Sequence, residues 1–199
     1  MKYLAILFCL FPTTYCLAQF QKNDISFAAT TEYINFQQFS PTYAFGITGE
    51  YMLGNHLGVE FSAAGGKDYF QIGTGAILFP VALLLNSGDT DGDGDSFLLF
   101  LVGIASLFEH TNYHIPLNKN IELVPYVSLL KIRYMYEPDS EFNEYIFASW
   151  SIGTKLGFRF NNNLFINATV EGSQLYYSGR PRGIQTGIHI GYIFKSKDS

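Results

Sequence analysis

The chain is 199 residues long, 48% hydrophobic and 17% aromatic but only 15% charged, against roughly 25% charged in ordinary soluble domains. That length suits one domain, and low charge with abundant Gly, Tyr and Phe suits a lipid-facing barrel better than a soluble enzyme. The net charge of −5 argues against a nucleic-acid role, because nothing in the composition supplies a basic patch for phosphate.

The N-terminus reads as a secretory signal. Lys2 supplies the positive start, and Tyr3 to Phe11 is an apolar run too short to span a bilayer as a helix. Cys16-Leu17-Ala18 places cleavage between Ala18 and Gln19, so residues 1–18 are a leader and 19–199 the mature domain. Loss of Lys2 leaves 11 of the 12 basic residues against 17 acids, a mature charge of −6. Cys9 and Cys16 both fall in the leader, so the mature chain has no thiol chemistry. Thr13-Thr14-Tyr15 before Cys16 departs from a lipoprotein signal. No later run has 18 or more uninterrupted apolar residues, so an exported chain of this kind is soluble or spans as a barrel.

Period-2 alternation then recurs along the chain, the mark of strands with one apolar face. In residues 24–36, Ile25, Phe27, Ala29 and Tyr33 oppose Glu32. In 42–53, Tyr43, Phe45, Ile47, Tyr51 and Leu53 oppose Ala44, Gly46, Thr48 and Glu50, and Gly54-Asn55 signals a tight turn. In 57–65, Leu57, Val59, Phe61 and Ala63 oppose Gly58, Glu60, Ser62 and Ala64. Residues 76–85 and 97–108 are continuously apolar and flank an acidic tract from Asn86 to Ser96. A strand over 105–117 carries Glu109, His110, Tyr113 and His114 into a turn at 117–120.

Residues 121–136 set Val124, Tyr126, Leu130, Ile132, Tyr134 and Tyr136 against Lys131 and Arg133, with Pro125 marking a strand start or bulge. Residues 150–160 alternate strictly: Trp150, Ile152, Thr154, Leu156, Phe158 and Phe160 against Ser151, Gly153, Lys155, Gly157 and Arg159. Residues 164–176 oppose Leu164, Ile166, Ala168 and Val170 to Asn167, Thr169, Glu171 and Ser173, with Phe165 breaking parity. Residues 184–194 oppose Ile184, Ile188, Ile190, Tyr192 and Phe194 to Gln185, Gly187, His189 and Gly191.

Nine candidate strands must reduce to an even number, because single-chain bacterial barrels keep both termini on the periplasmic side. Short turns at 54–55, 117–120 and 161–163 read as periplasmic, and 137–145 and 178–183 as extracellular. The expectation is an all-β, eight-stranded antiparallel transmembrane β-barrel, a meander with one long extracellular insertion at about 67–104. A ten-stranded barrel with both apolar runs in the wall is the alternative.

The pattern resembles the outer-membrane β-barrel proteins of the OmpA-like and PorT-like superfamily from Bacteroidota. The resemblance is carried by Leu17-Ala18-Gln19, Asn112-Tyr113-His114-Ile115-Pro116-Leu117, Val124-Pro125-Tyr126 and the terminal run Gly187 to Phe194. It implies an eight-stranded barrel in the outer membrane of a Gram-negative bacterium, in contact with membrane lipids and barrel-assembly machinery, and brings no catalytic residues. The chain departs from that pattern by continuing five residues past Phe194.

Eight charges fall on the inward parity: Glu32, Glu50, Glu60 and Glu171 with Lys131, Arg133, Lys155 and Arg159. The interior of an eight-stranded barrel is only wide enough to be filled by side chains. Charges there have to pair, because removing one partner strands a buried ion at roughly 3–5 kcal/mol. They read as a structural plug, a gated small pore or a ligand pocket.

Asp89, Asp91, Asp93 and Asp95, with Gly94, match the first half of a calcium loop, although its twelfth position is Phe100 rather than Glu. Calcium is the one candidate cofactor. His110 and His114 share a face of a strand about 13 Å apart at roughly 3.3 Å per residue, too far for one ion, and read as structural.

Ser149, Ser151 and His189 are the nearest approach to hydrolytic chemistry, and no Gly-x-Ser-x-Gly occurs. The expected function is non-enzymatic. It is structural, or binding of an extracellular partner through residues 67–104, with a small transport barrel as the alternative. A lipid-modifying enzyme and a soluble ligand-binding barrel remain as further rivals. The soluble barrel would turn Tyr43, Phe45, Leu156 and Phe158 inward around a ligand.

Overall fold

Alternating side chains leave each strand of this chain with one apolar and one polar face, and the two faces end up on opposite sides of a closed wall. The computed structural model describes residues 20–37, 39–73, 110–136, 144–160, 163–176 and 181–196. Among them are ten strands: β1 (Ile25–Phe36), β2 (Thr42–Met52), β3 (Leu57–Gly65), β4 (Tyr69–Gly73), β5 (His110–Tyr113), β6 (Ile115–Pro116), β7 (Ile121–Tyr136), β8 (Glu144–Arg159), β9 (Leu164–Leu175) and β10 (Arg182–Phe194). All pairings are antiparallel, and β1 closes the ring on β10 from Ile25 opposite Phe194 to Phe36 opposite Gly183. Closure leaves no free sheet edge, the condition for crossing a bilayer with strands.

Burial is inverted relative to a soluble protein. Tyr43, Phe45, Ile47, Ile152 and Ile184 are exposed, whereas Glu32, Glu60, Lys131, Arg133, Lys155 and Glu171 are buried. The soluble ligand-binding alternative fails on this point. Tyr43 and Phe45 are 64% and 69% exposed, and Leu156 and Phe158 also face outward, because their parity is the apolar one.

The fourth place in the wall is shared. Strand β4 pairs with β3 (Ile72 opposite Ala63) and with β7 (Ile72 opposite Ile132). Strand β5 pairs with the same two neighbours nearer the chain termini (His110 opposite Glu60, Thr111 opposite Val127), and β6 continues along β7. The ring therefore closes with eight wall positions rather than ten.

The excursion expected over about residues 67–104 does not include Tyr69–Gly73. Tyr69–Gly73 are wall, because backbone partners are available on both of their edges. The described part of this wall strand stops at Gly73 and resumes at His110, about halfway along β3 and β7. The apolar runs 76–85 and 97–108 lie outside the described residues.

The register of β7 on β8 shifts between Ser128 and Lys131, where one strand carries an extra residue. Leu129 and Leu130 are consequently both exposed, and parity inverts across the bulge. Val124 and Tyr126, expected on the lipid face with Ile132 and Tyr134, are buried instead. Alternation read straight through the bulge assigns one half of β7 to the wrong side.

The end of the barrel carrying both termini is clasped by Asp24. Its carboxylate accepts from Lys195 Nζ at 2.7 Å, from the Ser196 backbone N–H at 3.1 Å and from the Gln21 N–H at 2.9 Å. Asn23 adopts a left-handed conformation (φ 69°), which Asn tolerates better than most residues, and its Oδ1 accepts from Tyr51 OH.

Candidate functional site

The inward faces stack into tiers. At the terminal end Phe20, Ala28, Met52, Phe165 and Ile193 form an apolar tier. The parity break at Phe165 has its reason here, since that ring is an interior residue of this tier. At the far end Ile34, Phe36, Ala44, Ala64, Met135, Phe147 and Leu175 form a second, with Tyr69 at its edge. Charged and amide side chains fill the space between.

Arg133 is fully buried and engaged on every nitrogen. Nη2 donates to Glu171 Oε1 at 2.8 Å and to Ser173 Oγ at 3.1 Å. Nη1 donates to Tyr69 OH, Gln71 Oε1 and Gln185 Oε1, and Nε to Ser149 Oγ at 2.9 Å. Its guanidinium lies 5.1 Å from the centre of the Phe36 ring, joining the ionic tier to the apolar one. Glu171 also receives Lys131 Nζ at 3.2 Å and Tyr126 OH at 3.0 Å. Gly153 makes room for that tyrosine, because a Cβ there would sit 2.4 Å from the Tyr126 ring.

Glu60 pairs with Lys155 Nζ, and His110 Nδ1 lies 3.1 Å from its other oxygen. Glu32 accepts from Gln71 Nε2 at 2.8 Å and Gln185 Nε2 at 2.6 Å, with His189 3.9 Å away. Nearer the terminal end His114 sits between two carboxylates, Glu50 at 3.0 Å from Nε2 and Glu122 at 3.2 Å from Nδ1. A ring with a carboxylate on each nitrogen is matched as the imidazolium, which donates from both. Glu50 also accepts from Asn112 Nδ2.

Seven of the eight charges expected in the lumen therefore meet in one network: Glu32, Glu50, Glu60, Lys131, Arg133, Lys155 and Glu171. Arg159 shares their parity but lies at the terminal mouth, half-buried, with its guanidinium 5.0 Å from the centre of the Phe20 ring. Sequence reasoning missed Glu122, hidden by the bulge, and did not assign Gln71, Gln185, Asn112 and the histidines as partners. With Glu122 the lumen holds five carboxylates against Lys131, Arg133 and Lys155. His110 and His114 stand among these carboxylates, His110 beside Glu60 and His114 between Glu50 and Glu122.

The space left among Glu32, Glu60, Lys131, Lys155 and Glu171 is about 10 Å³, room for one water at most. Ser149 is held by Arg133 and donates to the Lys131 carbonyl, so it is not poised beside His189 as a nucleophile. Among the described residues no group of His, Asp and Glu is arranged to hold a metal ion. Asp89, Asp91, Asp93 and Asp95 lie outside the described residues.

An apolar exterior around a closed, ion-filled interior defines an eight-stranded antiparallel β-barrel of the membrane-spanning type. One solved structure agrees on the fold, and others align over much of the chain. The N-terminal β-barrel domain of Pseudomonas aeruginosa OprF aligns over 87% of this chain and 98% of its own, with a TM-score of 0.53 at 12% identity. Neisserial surface protein A covers 87% and 96% at 10% identity (TM-score 0.47). Ail, the attachment invasion locus protein of Yersinia pestis, covers 87% and 100% at 15% identity (TM-score 0.45). No protein-family model matches the chain, and no curated protein matches it.

Proposed function

We propose that the protein is an outer-membrane barrel whose lumen is a structural plug, and whose role is structural or binding rather than transport or catalysis. The observation that carries this reading is the stack of tiers. Two apolar layers close a salt-bridged centre with about 10 Å³ of free space, so no water-filled path runs through the described interior. Chemistry on a partner then falls to the outer surfaces and to the segment inserted between Gly73 and His110. The end holding both termini and the short turns is assigned to the periplasm, and the other end to the cell exterior.

The test is conductance after insertion into planar bilayers. A silent membrane at both polarities is expected, with protein incorporation confirmed by heat-modifiable gel migration. Discrete, reproducible current steps would overturn the plug and return the gated-pore reading. Deletion of the inserted segment, with the barrel intact, should abolish any partner binding that the whole protein displays.

A further inference from the structure

Strands β8, β9, β10 and β1 are consecutive in the ring, and their registers build two neighbouring rows on the outer face. In the row nearer the far end, Trp150 stands opposite Gln174 and Gln174 opposite Arg182, and the Gln37 N–H bonds to the Arg182 carbonyl. In the next row Ile152 stands opposite Gly172 and Gly172 opposite Ile184. The upper row is polar and aromatic; the lower is apolar from Ile152 to Ile184, with its middle side chain missing, and ends on β1 at the exposed Asn35 opposite Ile184.

The two rows line an open surface groove of about 660 Å³, deepest where the Gly172 side chain is missing. Gly172 is its floor, and a Cβ built there meets nothing nearer than the Ile152 carbonyl oxygen at 4.0 Å. Ile152 and Ile184 are its walls, 62% and 61% exposed. Strands β8 and β10 are about 10 Å apart across β9, so one absent side chain leaves the width of one acyl chain. Arg182 stands exposed at the head of the groove, and among the described residues no carboxylate pairs with it.

We propose that this groove binds a phosphate-bearing acyl lipid of the surrounding leaflet. The phosphate meets the Arg182 guanidinium and the amide N–H groups of Gln174 and Gln37. The chain runs over Gly172 between the two isoleucines toward the membrane centre. A cation with neighbouring amide donors above an apolar slot matches a phosphate on an acyl tail, and a neutral headgroup gains nothing from the arginine. This inference rests on the membrane-spanning reading of the barrel.

Trp150 is the chain's single tryptophan and lies in the upper row, so its emission reports on the groove. The refolded protein is placed in phosphatidylcholine vesicles containing a small, equal fraction of either dibrominated phosphatidylglycerol or dibrominated phosphatidylcholine. Bromine on the acyl chains quenches a nearby indole. The expected result is roughly fivefold greater enrichment of the anionic quencher at Trp150, the effect of about one membrane-surface arginine. Arg182→Gln should equalise the two quenchers. Gly172→Ile, which places its side chain in open space, should lower quenching by the anionic lipid while the barrel still folds.

Equal quenching in the unaltered protein, or an excess that survives Arg182→Gln, would overturn the proposal. A change in emission with inorganic phosphate alone would also overturn it, by removing the acyl chain from the ligand. No quenching by either lipid would instead remove the membrane-spanning reading beneath it.

Discussion

Ile72 and His110 stand three places apart along one strand of the wall, although 38 residues separate them in the chain. Ile72 faces Ala63 and His110 faces Glu60. An uninterrupted strand needs three residues for that step, so 35 are surplus. Against β7 the surplus is one lower, and the extra residue of the bulge between Ser128 and Lys131 accounts for the difference. The two described pieces, β4 and β5, lie on one strand line, with 35 more residues between them than the line needs.

Excision of residues 75–109, a deletion of 35, should therefore give a continuous fourth strand and a closed barrel. Heat-modifiable migration and the far-ultraviolet spectrum should match the intact protein. Excision of 75–108 leaves one residue too many. It turns either His110, Asn112 and His114 or their counterparts in β4 toward lipid, and refolding should fail. Equal behaviour of the two deletions would refute the continuous register.

Glu171 is the counter-charge of Arg133 and Lys131 together. Glu171→Gln leaves two buried cations facing a neutral amide. It should cost roughly 3–5 kcal/mol in urea unfolding from lipid vesicles. Tyr126→Phe removes one hydrogen bond to the same carboxylate and should cost about 1.5–3 kcal/mol.

Leu129 would share the lumen with Lys131 and Arg133 if β7 were regular. The bulge turns it to lipid, 46% exposed. Leu129→Arg should thus destabilise the inserted barrel by about 2–4 kcal/mol, the cost of an arginine on the lipid face near mid-membrane. A neutral or stabilising result would mean that the side chain enters the lumen and that the bulge is absent.

Asp24 ties the first and last described segments together, accepting from Gln21, Lys195 and Ser196. Asp24→Ala should lose about 1–3 kcal/mol of stability. It should also speed amide exchange in residues 20–24 and 193–196 without altering exchange in β7 and β8. Uniform acceleration across all strands would show that the clasp is not a local feature.

Much of this fold can be read from alternation alone, because a wall with lipid outside and charge inside imposes period 2 on nearly every strand. Ser151, Lys155, Glu171, Gln185 and His189 lie on the side their parity assigns. Three features are hidden for physical reasons. A bulge is a single unpaired residue with no composition of its own, so Val124, Tyr126 and Glu122 read on the wrong face. Strand β4 is five residues long and its second partner, β7, is distant in sequence, so Tyr69–Gly73 read as loop. The neutral partners Gln71, Gln185 and Asn112 carry no charge signal, and only geometry joins them to Glu32 and Glu50.

The Asp24 clasp also bears on the order of events in biogenesis. The first described residues and the last are tied to one carboxylate, and the seam between β1 and β10 runs directly above it. The knot cannot be tied until Lys195 and Ser196 have been synthesised and delivered, so it is fastened after the strands that make the seam. Lys195 and Ser196, just after Phe194, thus act as a fastening. A fusion that displaces them would act as a slipped latch, leaving the strands formed and the cylinder unsealed.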